Sequence, residues 1–177
     1  MSIRRELVND LESLSLFQNR YENIKCINYN PATGTFKGQF SIVFKAIDRI
    51  EKEPVAIKFF APDAAFTHDV YRIQAFEREP EILKCALGKK RCLQLVQGLS
   101  DYILNIPTTT PGGSIPLQLK YFIIQWLDKE IDEYFEKQEL YEPIDKLLLF
   151  NDIISAVEAI HSCNIYHRDL KPDNLRE

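Results

Sequence analysis

The chain has 177 residues, a length that suits one ordinary domain, and its formal net charge is −4 at pH 7. Hydrophobic residues make up 45% of the sequence and aromatic residues 11%, which is typical of a packed core and not of intrinsic disorder. The slight acidic surplus argues against a dedicated nucleic-acid-binding protein, because such proteins carry an excess of basic residues.

The cysteines and the apolar segments bear on compartment. Four cysteines lack the spacing of a zinc site or a CxxC motif, so we predict free thiols in a reducing environment: Cys26, Cys85, Cys92 and Cys163. The first residues have no uninterrupted apolar stretch of the kind found in signal peptides. No apolar run is long enough to span a bilayer. We therefore expect a cytoplasmic location without a membrane partner.

The N-terminal segment, residues 1–20, is predicted to be a helical extension packed on the outside of the domain. Residues 2–16 form its amphipathic helix, with Ser2 as a candidate N-cap. Apolar residues recur there at helical spacing: Ile3, Leu7, Leu11 and Leu14.

Beyond this helix the pattern changes to short segments rich in β-branched and aromatic residues, which indicate strands. We predict strands around residues 24–27, at 41–48 and at 55–60. The turn-rich stretch 28–38 separates the first two. The polar residues 49–54 join the last two as a hairpin loop.

A helix is predicted over residues 67–87, where Pro80 should either kink the helix or mark a boundary. Its apolar positions are Val70, Ile73, Phe76, Ile82 and Leu83. Strands are predicted next near 93–96 and 102–106.

Residues 107–116 read as a turn-rich loop, 117–127 as a strand and 131–135 as a short helix. The longest predicted helix covers residues 143–162 and is apolar around most of its circumference. Such a surface indicates either a partner that covers it or an aggregation liability. Strands with one inserted helix, followed by helices, predict an α+β fold.

The strongest chemical signal is the string His-Arg-Asp-Leu-Lys-Pro-Asp-Asn at residues 167–174. It follows the long helix and presents a carboxylate, an ammonium and a carboxamide within a few residues. Phosphoryl transfer needs groups of these types to orient the attacking hydroxyl, neutralise phosphate charge and hold a metal ion. The string resembles the catalytic loop of protein kinases, and its Lys-Pro pair is similar to the serine/threonine version.

The resemblance implies a role for each of these side chains. Asp169 would orient and deprotonate the substrate hydroxyl, and Lys171 would approach the transferred phosphate. Asn174 would bind Mg²⁺. Arg168 would pair with a phosphate on the activation segment, and His167 would support the loop.

A second motif, Val-Ala-Ile-Lys at residues 55–58, resembles the kinase strand whose lysine contacts the α- and β-phosphates of ATP. Lys58 would take that role, with Ala56 beside the adenine. On its own, a strand lysine is more often a solvated surface residue. The resemblance also requires a carboxylate from the next helix, which aligns with Glu79, and Glu81 is the alternative because Pro80 makes the helical phase uncertain.

A third motif, residues 38–46, resembles the end of the kinase pattern G-x-G-x-x-G-x-V. Gly38 matches the second glycine, while Phe36 and Ser41 stand at the first and third. Glycine lets backbone N–H groups approach phosphates without a Cβ in the way, so the two replacements should alter loop flexibility and nucleotide affinity. Val43 would cover the adenine.

Residues 121–127 are similar to the last small-lobe strand of kinases running into the hinge. Ile124 would guard the back pocket, while the carbonyl of Gln125 and the backbone of Leu127 would hydrogen-bond adenine. A buried strand without ligand contacts is the plain alternative, and both interpretations can hold together.

The resemblance implies a protein-kinase-like α+β fold with a small lobe and hinge at 21–127 and the start of the large lobe at 128–177. It implies ATP-dependent phosphoryl transfer to serine or threonine of a protein substrate, with ATP and Mg²⁺ as cofactors. The sequence contains no Asp-Phe-Gly motif, so we expect the 177 residues to be an N-terminal fragment of a kinase domain that is inactive alone.

Two alternatives remain open. One is a non-catalytic half-kinase that binds nucleotide or a partner. The other is phosphotransfer to a small molecule, as in aminoglycoside- or choline-type kinases. Those enzymes usually carry a small residue where Arg168 stands and lack the Lys171-Pro172 pair.

Overall fold

The computed structural model describes residues 2–38, 40–61, 69–108, 112–128, 142–168, 170–171 and 175. The chain divides into two compact units. The first unit comprises residues 1–81 and 95–125, and the second comprises 82–94 and 126–177. The division into 1–20, 21–127 and 128–177 stays a prediction.

The first unit is built on an antiparallel sheet of five strands in the spatial order β1-β4-β5-β7-β6, and a separate two-stranded hairpin pairs β2 with β3. The strands are β1 (Tyr21–Cys26), β2 (Tyr29–Asn30), β3 (Thr35–Phe36), β4 (Ser41–Asp48), β5 (Pro54–Phe60), β6 (Leu95–Pro107) and β7 (Ser114–Gln125). This sheet, together with the helices described below, confirms the predicted α+β, kinase-like fold.

Three strand predictions need correction. The strands expected near 93–96 and 102–106 are one long strand, β6, whose pairing with β7 shifts register twice before Ser100. Such bulges break the period-two pattern that defines a strand in sequence. The turn-rich stretch 28–38 contains the β2–β3 hairpin, and the loop expected at 107–116 is shorter because β7 begins at Ser114. The short helix predicted at 131–135 lies outside the described residues.

Helix α1 (Ile3–Ser13) packs on one face of the sheet. Leu7, Val8 and Leu11 are buried in the same core cluster as Phe44 of β4 and Phe59 of β5. The predicted helix is therefore confirmed. Ser2 occupies the N-cap position but makes no side-chain capping hydrogen bond, so that part of the prediction is wrong.

The alternation of β4 separates two faces of the sheet. Ile42, Phe44 and Ala46 are fully buried on the face that α1 covers. The intervening residues, including Val43 and Lys45, are half-buried on the opposite face. Because neighbouring side chains of a strand point to opposite faces, the core on one side forces the odd-numbered residues to the other.

Asp48, at the end of β4, is fully buried and pairs with Arg20. Its carboxylate lies 2.6 Å from Nη2 of Arg20 and accepts hydrogen bonds from Nε of the same residue and from the backbone N–H of Ile50. The Arg20 hydrogen bonds hold the pKa of the Asp48 carboxyl below its usual value, although burial opposes the shift. The pair links the segment before β1 to the end of β4.

Helix α2 (Val70–Cys85) packs on the second face of the sheet. Phe76 is its buried anchor, with its ring centroid 5.3 Å from that of Phe60 and 5.0 Å from that of Phe122. The helix continues through Pro80, so the alternative that this proline marks a boundary is wrong. Val70 and Ile82, expected on the apolar side, are exposed.

Helix α3 (Pro143–His161) belongs to the second unit and has no buried residue. Its exposed apolar side chains are Ile144, Leu147, Leu148, Phe150 and Ile154. Arg91 forms an ion pair with Asp152 of this helix at 2.6 Å, within the same unit. The described part of the chain thus leaves an apolar surface on α3. No helix among the described residues is long and apolar enough to cross a membrane.

We predict that Leu7→Ala lowers the free energy of unfolding by about 2–5 kcal/mol, because it opens a cavity in the core under α1. Asn9→Ala, an exposed position on the same helix, should stay within about 0.5 kcal/mol of the wild type. Urea unfolding of the three proteins measures the difference. Equal stability of the Leu7 variant and the wild type would show that α1 is not part of this core.

We predict that Asp48→Asn lowers the melting temperature at neutral pH and that this loss shrinks in acid. Because the folded pKa is below the unfolded value of about 3.9, the ion pair contributes fully above that value and fades as the pH falls through the folded pKa. Melting curves of both proteins between pH 7 and pH 2 test this. Glu22→Gln, which removes the exposed pair with Arg49, should change little at any pH.

Candidate functional site

The second face of the sheet brings together side chains from three adjacent strands. In the antiparallel register Val43 is opposite Lys58, and Lys58 is opposite Phe122. Ala56, two residues before Lys58, is opposite Ile124. Directly opposed residues point to the same face, so these positions share one surface. Four of them, all except Phe122, are predicted site residues.

Lys58 and Glu79 form the central ion pair of this surface. The ammonium Nζ donates to both carboxylate oxygens of Glu79, each at 2.7 Å. The same nitrogen lies 5.6 Å from the ring centroid of Phe122, within the range of a cation–π contact. The side chains are 23% and 36% exposed, so the pair is open to a ligand on one side.

The helical phase selects Glu79 over its neighbours. Glu79 lies three residues after the buried Phe76, so both point toward the sheet. Glu81 is exposed, and Glu77 forms an ion pair with Lys120 at 3.4 Å. The structure therefore places Lys58 against Glu79 and not against Glu81.

The residues from the end of β3 to the first residues of β4, namely 36–38 and 40–43, are called the glycine loop below. Gly38 has φ +89°, a region that favours glycine, and a Cβ there would meet no atom within 4 Å. Gln39 lies outside the described residues. The side chain of Asn28 closes the base of the loop, since its Nδ2 donates to the carbonyls of Lys37 and Ser41 at 2.9 and 3.0 Å.

Two arginines from different helices contact the glycine loop. Arg4 of α1 donates from Nη2 to the carbonyls of Gly38 and Ser41 at 3.0 and 3.3 Å. Its guanidinium also lies 4.4 Å from the ring centroid of Phe36. Arg72 of α2 stacks on Phe40, with its Cζ 3.5 Å from that ring centroid. The loop is thus held from both helices that flank the sheet.

The predicted hinge residues are divided between the two units. Gln125 is the last residue of β7 and is exposed, and it pairs with Val55 in the register. Leu127 is half-buried in the second unit. Between them, the indole N–H of Trp126 donates to Asp128 Oδ1 at 2.5 Å.

The predicted catalytic loop belongs to the second unit, and only part of it is described. His167 and Lys171 are exposed, as is Arg168, whose φ is +62°. Asp169 and Asn174 lie outside the described residues, so the predicted catalytic base and the predicted Mg²⁺ ligand have no structural description. Among the described residues there is no cluster of three or more His, Cys, Asp or Glu side chains that could hold a metal ion.

Sequence reasoning missed the contacts of Arg4, Asn28 and Arg72 with the glycine loop. One signal was available for Arg4. It lies three and four residues before Leu7 and Val8, and thus on the buried stripe of α1, where a charged residue calls for an explanation. The spacing of Asn28 and Arg72 carries no comparable signal.

Comparison with known proteins gives an independent result. The family model described as "Protein kinase domain" matches residues 34–175, which is more than half of the chain. A probable myosin light chain kinase of Dictyostelium discoideum is 32% identical over 149 residues, covering 83% of the chain and 32% of the relative.

Two further relatives cover 78% of the chain. Extracellular signal-regulated kinase 7 of Drosophila melanogaster is 27% identical and is covered over 13% of its length. Mitogen-activated protein kinase 15 of Rattus norvegicus is 29% identical and is covered over 22%. The chain therefore spans about a third or less of the length of these relatives. The match to the family model and the similarity to these kinases show that the chain belongs to the protein kinase domain family.

Proposed function

We propose that this chain contributes to ATP-dependent phosphoryl transfer to serine or threonine residues of proteins. The observation that carries the proposal is the Lys58–Glu79 pair, in which both carboxylate oxygens accept from one ammonium on the sheet face shared with Val43 and Ala56. Bound ATP would supply the transferred phosphoryl group, and Mg²⁺ would neutralise charge on its phosphates.

Lys58 is suited to hold phosphate oxygens. An ammonium has three N–H donors, and Glu79 takes two of them. The third is available for a phosphate oxygen. The Glu79 carboxylate also keeps the flexible lysine in one place, which lowers the entropy lost when a ligand binds.

The apolar neighbours of Lys58 fit a purine ring. Ala56 is 4% exposed and offers no side chain beyond Cβ, and Val43 is half-buried on the adjacent strand. Apolar side chains beside a cation that can hold phosphate match the two chemical halves of a nucleotide. We assign the adenine hydrogen bonds to the backbone of Gln125 and Leu127, on the resemblance to the kinase hinge.

The transfer step is assigned from the resemblance. Asp169 accepts the proton of the substrate hydroxyl, Lys171 neutralises the transferred phosphoryl group, and Asn174 provides a Mg²⁺ ligand. The Lys171-Pro172 pair supports serine and threonine as acceptors over tyrosine. Protein substrates are supported by the names of the relatives, several of which are named mitogen-activated protein kinase 15.

We predict that Lys58→Met weakens ATP binding by about tenfold or more, since one charge-assisted phosphate contact is worth at least about 1.4 kcal/mol. Glu79→Gln should weaken it less, because the lysine remains. Glu81→Gln is the matched control and should bind as the wild type does. Isothermal titration with ATP, with and without Mg²⁺, measures all four proteins. A wild type that binds no nucleotide, or equal affinities throughout, would contradict the proposal.

We predict that Asp169→Asn lowers kcat by at least about 100-fold while ATP affinity is kept, because the variant loses the proton acceptor and no adenine contact. Asp173→Asn, in the same loop, is the control. Transfer from ATP to mixed serine, threonine and tyrosine peptides measures activity in the full-length protein that contains these 177 residues. Phosphorylation of tyrosine alone would exclude the proposed specificity, and an active Asp169 variant would exclude the proposed base.

A further inference from the structure

We propose that Arg4 of helix α1 is a positioning residue that holds the glycine loop in the conformation that receives the nucleotide phosphates. The inference rests on the function proposed above. It assigns a role in that function to Arg4, which lies outside the part of the chain that resembles kinases, residues 21–177.

Arg4 contacts all three positions at which the kinase pattern has glycine. Phe36 at the first position lies under its guanidinium, with 4.4 Å between Cζ and the ring centroid. Gly38 at the second position and Ser41 at the third each accept a hydrogen bond from Nη2 through the backbone carbonyl, at 3.0 and 3.3 Å. Phe36 and Ser41, the two residues that stand where the kinase pattern has glycine, therefore both contact Arg4.

Packing alone does not explain an arginine at this position. Arg4 is 4% exposed and continues the stripe of Leu7, Val8 and Leu11, where an apolar residue would fill the space at lower cost. Burying a guanidinium is unfavourable unless acceptors replace water. The two carbonyls and the ring replace water around part of the guanidinium, so the burial of Arg4 depends in part on the conformation of the glycine loop.

Helix α1 is anchored independently of the loop, which makes it a fixed support. Leu7 and Leu11 are fully buried in the core. Glu12 accepts a hydrogen bond from the backbone N–H of Cys26 at 2.8 Å, and Asp10 accepts one from the hydroxyl of Tyr102. Arg4 therefore attaches the loop to a helix that the core holds in place.

The consequence for nucleotide binding follows from conformational entropy. Gly38 has a positive φ and open space around it, so its backbone could adopt many conformations if it were not held. Fixing the carbonyls of Gly38 and Ser41 fixes their peptide planes, since each peptide group is planar. A loop ordered in advance loses less entropy when phosphates bind, and this should appear as tighter nucleotide binding.

The test compares Arg4→Ala with Arg5→Ala, which removes the same charge from an exposed position on the same helix. We expect Arg4→Ala to weaken ATP binding about five- to tenfold, which corresponds to about 1–1.4 kcal/mol of loop-ordering cost that the variant has to meet when the nucleotide binds. It should raise KM for ATP in the full-length protein while kcat changes little. Arg4→Lys should restore part of the affinity, because it keeps the donor and loses the planar stack.

Hydrogen exchange of the backbone amides provides a readout that does not depend on nucleotide. In Arg4→Ala, residues 36–43 should exchange faster, while β5 and β7 keep their protection. If the wild type binds no nucleotide, the proposed function fails, and faster exchange confined to this loop still supports the tether. Unchanged loop exchange, or unchanged affinity in an Arg4→Ala protein whose wild type binds ATP, overturns the inference. Faster exchange throughout the sheet would also overturn it, since Arg4 would then act only on stability.

Discussion

The two-residue alternation of the central strands is the constraint on which the candidate site depends. Ile57 and Phe59 point into the core that α1 covers, so Ala56 and Lys58 must point to the other face. A shift of one residue in register would bury the lysine among aromatic rings and expose the core. The apolar face under α1 thus fixes the direction of Lys58 more firmly than the ion pair does.

The ion pair between Lys58 and Glu79 fixes the position of the lysine and contributes little to the stability of the fold. Its partners are 23% and 36% exposed, and pairs in contact with water contribute little net free energy. Phe76 is what brings α2 onto the sheet, through its contacts with Phe60 and Phe122. Packing therefore sets the distance between Lys58 and Glu79, and the helical phase relative to Phe76 selects which carboxylate of α2 faces the lysine.

Local pattern and short motifs predicted a large part of the architecture, because the features concerned are encoded within a few residues. The limits of β4 are of this kind. The pairing of Lys58 with Glu79 was predicted from the resemblance to kinases, since the two residues lie 21 positions apart in the sequence. The continuous strand β6 was not predictable, because its bulges interrupt the alternation. The contacts of Arg4 with the glycine loop span more than thirty residues of sequence and depend on how α1 docks, which no local pattern encodes.

The two steps of the proposed reaction, nucleotide binding and phosphoryl transfer, are assigned to residues of different units. Lys58, Glu79, the glycine loop and α1 all lie in the first unit, whereas the described residues of the predicted catalytic loop, 167–168 and 170–171, lie in the second. The first unit buries its apolar surface on the sheet, while α3 of the second has no buried residue. Under the proposed function, a change in the first unit should act on nucleotide affinity, and a change at Asp169 should act on transfer. One substitution in the glycine loop that lowered both the nucleotide affinity and the transfer rate would contradict this assignment. The loop would then act on the reacting atoms themselves.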